Sequence, residues 1–348
     1  MRASRYEWVV VLQSPHDGLF RAAFESPRHA AQLLAGLLPQ ELTALVEFGS
    51  LELQPEGGRG KHLEEFRADL VFRASIAGAP GFVCFLFEHQ STSDLGMPLR
   101  VLGYQLRHWE RAFAEHRRRE NPGHPLAPIV PIVVSHDPRG WNAPREFADL
   151  FPDPVRRHET LRSVTPNFRC FIDDLSELSD EDLRARALAP FPTLVLWALR
   201  DARTPGQILR HLDQWADALT DVGNAADGGD ALRQLFMYIS TVAENLEFAT
   251  FKARVAQLSP AAEEAIMTIA EQLQARGLER GLQQGLEQGR EQGLMQARRE
   301  TLEMQLTMKF GSLSAAVTAR LQAADVDTLG RWLARILTAD SADAVVEL

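Results

Sequence analysis

Two acids and an amide lie where a predicted β-hairpin brings them together. Residues 66–75 and 81–90 are patterned as strands, and the Gly and Pro between them favour a turn. A turn centred on residues 78 and 79 puts Asp69 directly opposite Glu88, and Gln90 then projects from the same face as Glu88. The pattern therefore predicts that three oxygen-bearing side chains converge at one end of a hairpin.

This convergence is typical of a site for a hard cation. Directly opposed Cβ atoms lie about 4.5–5.5 Å apart in an antiparallel pair, so two carboxylates there repel each other unless a cation lies between them. Carboxylate and amide oxygens suit Mg²⁺, which can polarise a phosphoryl oxygen and acidify a bound water. The alternative is a register that differs by one residue and leaves one acid in solvent.

The elements that would position these side chains form an α/β pattern. Helical spacing of apolar residues fills about 17–38, as one or two helices, and a strand is expected over 43–54. Residues 97–119 predict one long amphipathic helix, with an apolar stripe of Leu99, Leu102, Leu106, Trp109 and Phe113. Residues 127–135 predict a strand buried on both faces. We expect a mixed sheet flanked by helices, then only helices from about residue 173.

Composition and charge narrow the classes of protein. The chain has 348 residues, 45% hydrophobic and 24% charged, which indicates a globular protein rather than a disordered one. Two cysteines, Cys84 and Cys170, exclude a disulfide framework, and both are expected to be buried thiols. No apolar run is long enough to span a membrane, and the first residues do not form an export signal. We expect a cytoplasmic protein without a membrane partner.

The net charge of −10 is uneven along the chain. Residues 1–170 carry equal numbers of acidic and basic side chains, so residues 171–348 hold the whole excess. A neutral half can still present a local basic surface to phosphates. Five arginines form such a cluster near the end of the long helix, and either DNA contact or a solvated helix end explains it: Arg107, Arg111, Arg117, Arg118 and Arg119.

Several segments resemble one family of nucleases. Asp69-Leu-Val-Phe-Arg and Glu88-His89-Gln90-Ser91-Thr92 resemble the Rpn family of recombination-promoting nucleases, also called YhgA-like transposases, of the PD-(D/E)XK superfamily. The matching flanks are HDGLFRAAF at 16–24, MPLRVLGYQLRHWERA at 97–112 and PIVPIVVSHDPRGWNAP at 128–144. The resemblance implies a restriction-endonuclease-like core over residues 1–170 and Mg²⁺-dependent cleavage of DNA.

The resemblance also assigns roles to residues. It makes Asp69 and Glu88 the metal-binding acids and the carbonyl of His89 a further ligand. Gln90 stands where the superfamily has lysine, and a neutral amide can only hydrogen-bond. The Rpn-like family resembles this sequence in having glutamine at that position. We therefore expect slow cleavage rather than none. Asp17 is either a third acid near the metal or a cap at the start of a helix.

A ladder of five glycines marks the C-terminal part: Gly277, Gly281, Gly285, Gly289 and Gly293. Steps of four place all five on one face of a helix, edged by leucines. Each interior glycine costs about 1 kcal/mol relative to alanine, and close packing of a second helix is one compensation. A flexible tether is the alternative. The ladder predicts a homodimer through residues 273–348, after a helical region at 171–272.

Three functions are compatible with these patterns. The first is a homodimeric, Mg²⁺-dependent DNA endonuclease in which Asp69, Glu88, Gln90 and Asp17 serve the reaction, with a role in recombination. The second is a nuclease-fold module that binds DNA or protein with weak or no cleavage. The third is a transposase, but no recognisable end-binding module accompanies the core.

Overall fold

The computed structural model describes residues 15–54, 70–88, 94–118 and 126–347, and for residues 84–88 it describes the backbone alone. The chain forms two compact units, Met1–Ile269 and Ala270–Leu348. The finer domain boundaries expected at residues 170 and 272 stay predictions.

A mixed sheet of five strands organises the first unit. Its spatial order follows the chain: β1 Val46–Leu53, β2 Leu70–Ile76, β3 Ala79–Glu88, β4 Ile129–Ser135 and β5 Phe171–Asp174. The first three strands run antiparallel, whereas β3, β4 and β5 run parallel. The predicted mixed sheet with flanking helices is confirmed. Every residue of β4 is buried, as a strand covered on both faces requires.

The strand β5 contradicts the expectation that no strand follows β4. Its sequence, Phe-Ile-Asp-Asp, is four residues long and ends in two acids, so it lacks the alternation by which a strand is recognised. Its pairing with β4 stabilises it instead.

The β2–β3 hairpin turns at Ala77 and Gly78, one residue earlier than predicted. Ile76 pairs with Ala79 across this two-residue turn, and Val71 pairs with Cys84 where the prediction had Leu86. Both turn residues have positive φ, 52° and 75°, which is the type I′ geometry that matches strand twist. The predicted hairpin register is therefore wrong by two residues over the described pairs, and the pairing of residue 69 lies outside the described residues. An even shift preserves which residues share a face.

In the described part of the chain, three helices precede the first strand of the sheet. The predicted helical segment at 17–38 forms two helices, α1 Pro15–Phe24 and α2 Pro27–Leu37, with a proline in the first turn of α2. The helix α2 contacts β1, and α1 contacts α2. A short helix, α3 Gln40–Thr43, leads into β1.

The long helix α4, Met97–Arg118, is confirmed, but the predicted stripe describes only part of the face that packs on the sheet. Met97 and Val101 pack against Ile129 and Val133 of β4. Of the five residues of the predicted stripe, three are exposed and two are half-buried: Leu99, Leu106 and Phe113 are exposed, and Leu102 and Trp109 are half-buried. The row that faces the sheet includes the buried amide of Gln105, which a search for apolar spacing excludes.

Helices complete the first unit around a buried central helix: α5 Asp153–Arg157, α6 Glu159–Ser163, α7 Asp180–Ala185, α8 Pro190–Asp201, α9 Gln207–His211, α10 Ala216–Gly223, α11 Gly228–Val242 and α12 Phe248–Leu258. The helix α8 is buried along most of its length and contacts α1, α10 and α11. Trp197 of α8 packs near Trp215, with ring centroids 5.8 Å apart.

The second unit is built on α13, Pro260–Phe310, a helix of 51 residues that begins in the first unit. Its last turns pack with α14 Ala315–Ala323, α15 Val326–Arg335 and α16 Ala342–Val345. Leu302, Leu306, Leu329 and Trp332 form the core of this unit. Among the described residues, no helix is both long and apolar enough to cross a bilayer.

Candidate active site

The carboxyl ends of the three parallel strands lie level with one another. Glu88 of β3 pairs with Ser135 of β4, which pairs with Asp174 of β5. Ligands of open α/β sheets bind outside the carboxyl ends of their strands. The edge formed by these three residues is therefore the part of the sheet where a reaction centre is expected.

The first turn of α1 meets this edge. The His16 ring lies with its centroid 4.5 Å from that of His136, the residue that follows β4. On its other side, His16 Nδ1 is 2.9 Å from the hydroxyl of Tyr238 in α11. Asp17 is the next residue in the same turn, and its Oδ1 is shielded from solvent. The fold thus places Asp17 in a helical turn that contacts the residue after β4, and β4 pairs with β3 at Glu88.

Other acids at this edge already have structural partners. Asp173 is buried and forms two hydrogen bonds with the guanidinium of Arg186, at 2.6 and 2.8 Å. Asp174 accepts hydrogen bonds from the backbone amide of Trp141, at 2.6 Å, and from Ser176. These contacts fix the start of the helical region and the loop after β4, which makes both acids poor candidates for a metal.

Asp137 also has a structural role. Its carboxylate accepts hydrogen bonds from the backbone and side chain of Arg139, and its own side chain is almost fully buried. These hydrogen bonds are those of a loop-capping carboxylate.

Ser135 is a residue of this edge that the sequence did not single out. It is fully buried, and its hydroxyl makes no hydrogen bond within the part of the chain that the structure describes. The available signal was a polar residue at the end of an otherwise apolar strand.

The predicted site residues are described to different extents. Asp69, His89 and Gln90 lie outside the described residues, and Glu88 is placed by its backbone at the end of β3. Asp17 is the third residue of α1, inside its first turn. The convergence of the carboxylates stays a prediction.

Trp109 and His108 of α4 have packing roles. Trp109 donates from Nε1 to the carbonyl of Ala127 at 2.8 Å and packs against the core beneath α4, which confirms its expected place in the core. The ring of His108 lies edge-on to that of Phe82, with centroids 4.0 Å apart, and burial, helped by the charge of Arg111, lowers the pKa of His108.

Cys170 is a buried thiol as predicted, and burial raises its pKa to about 12.

One cluster with metal-ligand chemistry lies away from the sheet edge. Ligand atoms of Asp180, Asp201 and His211 lie within 4.8 Å of one another. The guanidinium of Arg200 hydrogen-bonds both carboxylates and lies 3.5 Å from His211 Nδ1. Because this cation occupies the cluster, we interpret it as an ion-pair network that joins α7, α8 and α9.

Comparison with known proteins identifies the family. Residues 14–228 match the family model described as "Putative transposase, YhgA-like". The chain belongs to this family. It is 27% identical over 269 residues to the recombination-promoting nuclease RpnA of Escherichia coli K12, a match that covers 76% of this chain and 85% of RpnA.

Two further relatives show that the family contains proteins named for different states of activity. The recombination-promoting nuclease RpnD of E. coli O157:H7 is 24% identical, over 75% of this chain and 94% of RpnD. RpnE of E. coli K12, named an inactive recombination-promoting nuclease-like protein, is 26% identical, over 76% of this chain and 83% of RpnE. No solved structure gives a significant match.

Proposed function

We propose that this protein is a Mg²⁺-dependent DNA endonuclease with a restriction-endonuclease-like core and a role in recombination. The observation that carries the proposal is the position of His16, the residue before Asp17 in the first turn of α1: its ring centroid lies 4.5 Å from that of His136, which directly follows the strand whose last residue pairs with Glu88. Relatives of comparable length named recombination-promoting nucleases support the same reaction class.

The proposed metal ligands are Asp69, Glu88 and the carbonyl of His89, with Asp17 as a third acid. Hard oxygen donors of this kind suit Mg²⁺. The even register shift of the hairpin keeps residues 69 and 88 on the same face of a regular pair, which supports a shared ligand. Asp173 accepts hydrogen bonds from Arg186, and Asp174 accepts them from backbone amides, so neither acid competes for the ion.

In the proposed reaction, the protein holds the phosphate and orients the water. A bound Mg²⁺ supplies Lewis-acid polarisation of the phosphoryl oxygen and acidifies water. Gln90 orients the attacking water or the scissile phosphate by hydrogen bonding. Because an amide carries no charge, it offsets less transition-state charge than lysine does, and we expect slow turnover.

The helix α4 supplies the proposed DNA contacts. Its last turns carry several arginines, and the helix as a whole has five arginines and two glutamates. A net positive helix close to the sheet attracts phosphates, with a strong dependence on salt. Arg119, the fifth member of the predicted cluster, lies outside the described residues.

Binding without cleavage is the second candidate function. RpnE, named inactive, matches this chain about as well as RpnA does, and Gln90 replaces the superfamily's lysine. In that case the nuclease fold would serve as a DNA- or protein-binding module.

A plasmid-nicking assay separates the two. Purified protein with Mg²⁺ is expected to convert supercoiled plasmid to open circles, EDTA to abolish this, and Asp69→Ala to lower the rate at least 100-fold. Asp230→Asn, which removes an exposed charge on α11, is the control and should cut at the wild-type rate. DNA binding with no cutting by the wild type would support the binding module, and equal cutting by Asp69→Ala would indicate a contaminating nuclease.

A further inference from the structure

Tyr238 contacts the candidate active site from a part of the chain that the family match does not reach. The match ends at residue 228, and Tyr238 lies ten residues beyond it, in α11. Its hydroxyl nevertheless meets His16 in the first turn of α1, across 222 residues of sequence.

The environment of Tyr238 favours a fixed hydrogen bond. The residue is 4% exposed, and burial raises the pKa of its hydroxyl, an effect that the charge of Arg203 only partly opposes. The hydroxyl can donate to His16 Nδ1 when the imidazole proton lies on Nε2. The two rings meet edge to face, with centroids 5.5 Å apart.

His16 is held from two sides. Tyr238 lies on one side, and on the other is His136, which is 1% exposed and continues directly from the end of β4. The helix α1 also packs against α8 and α11. Its first turn is thus fixed between the helical region and the sheet edge, and Asp17 is the next residue of that turn.

We propose that Tyr238 and His136 are positioning residues, which hold His16 and thereby align Asp17 with the carboxyl ends of β3 and β4. The inference rests on the proposed nuclease function. It makes the helices after β5 a structural part of the reaction centre, because α11 supplies one half of the clamp around His16. Neither Tyr238 nor His136 contacts the substrate in this proposal.

The test compares Tyr238→Phe with a matched loss of a hydrogen bond elsewhere in the same helical region. Tyr238→Phe deletes one hydroxyl and keeps the ring. Ser259→Ala deletes the buried hydroxyl that accepts from Thr220 at 2.9 Å, away from α1. Both full-length variants are first compared by thermal unfolding, so that their global stabilities are known. Amide hydrogen exchange of residues 15–24 and the Mg²⁺ dependence of plasmid nicking are then measured.

For Tyr238→Phe we expect exchange in the first turns of α1 to accelerate at least tenfold, kcat to fall at least fivefold, and half-maximal activity to need several-fold more Mg²⁺. Ser259→Ala should stay within twofold of wild type in all three. A purely structural role would instead make both variants change exchange throughout the unit in proportion to stability. Wild-type values for Tyr238→Phe would overturn the proposal.

The two proposals fail separately. If the wild-type protein does not cut DNA, the nuclease function fails, and exchange in α1 alone decides on the clamp. Faster exchange in Tyr238→Phe than in Ser259→Ala then supports the clamp, whereas equal exchange overturns it.

Discussion

Two acidic side chains at the sheet edge of the candidate site, Asp173 and Asp174, are held by structural contacts. Asp173 and Arg186 form a bidentate ion pair in which the carboxylate is almost fully buried and the guanidinium largely so. Removing one partner of a buried pair leaves the other charge without compensation, which costs about 3–5 kcal/mol. Asp173 is one residue from the strand end that aligns with Ser135, so proximity to the site alone would misassign it.

Asp173→Asn should therefore lower the free energy of unfolding by about 3–5 kcal/mol. Urea denaturation at neutral pH measures this. Asp230→Asn is the control, because its ion pair with Arg233 is exposed and such pairs contribute about 0–1 kcal/mol. Asp69→Ala should show the reverse pattern, with lost cleavage and little lost stability. Unchanged stability of Asp173→Asn would contradict the structural role.

At the scale of elements, the β2–β3 hairpin carries local strain that a substitution can relieve. Ala77 has φ of 52°, a left-handed conformation that costs an L-residue about 1–2 kcal/mol, whereas Asn tolerates it and Asn-Gly is the preferred type I′ pair. Ala77→Asn should raise the free energy of unfolding by about 0.5–1 kcal/mol. Ala77→Val, β-branched, should lower it. The comparison by urea denaturation fails if both variants change stability in the same direction.

The elements that the sequence predicted are those with long, regular patterns. β4 is apolar up to its last residue, and the 3.6-residue period of α1 and α2 is clear, so their existence followed from local preference. The hairpin register did not, since it depends on which two residues take positive φ, and Ala77 gives no such signal. β5 is defined by its partner strand, and the face of α4 by a buried amide, Gln105, so both depend on tertiary contacts.

At the scale of the molecule, the candidate site was predictable only in part. The spacing between Asp69 and Glu88 is local and visible in the hairpin pattern. His16 is an isolated histidine in the sequence, which by itself does not indicate a site. Its partner Tyr238 lies 222 residues away, and no periodicity links residues that meet through the packing of α1 on α11. The helical region therefore gave no sign of contributing to the site.

The glycine ladder of the second unit offers a surface for self-association. Each of its five glycines lies in α13, and among the described residues a Cβ added at any of them meets no atom within 4 Å beyond its chain neighbours and the nearby backbone of the helix itself. Leu278, Leu282 and Leu286 beside them are exposed as well. We propose that a second copy of the chain packs its own ladder here, because small residues let helix backbones approach closely.

Replacing Gly281, Gly285 and Gly289 together with alanine should then have two effects of opposite sign. Each alanine favours the helix by about 1 kcal/mol, so the helical signal should persist to higher temperature, while the added methyl groups keep the two backbones apart and sedimentation should show loss of the dimer. A triple alanine variant on the opposite face, Glu279→Ala, Gln283→Ala and Glu287→Ala, should retain the dimer. A monomeric wild type, or a dimer that survives the glycine replacements unchanged, would exclude the ladder as the interface. Without that interface, the protein would lack the simplest arrangement in which two active sites reach both strands of a duplex.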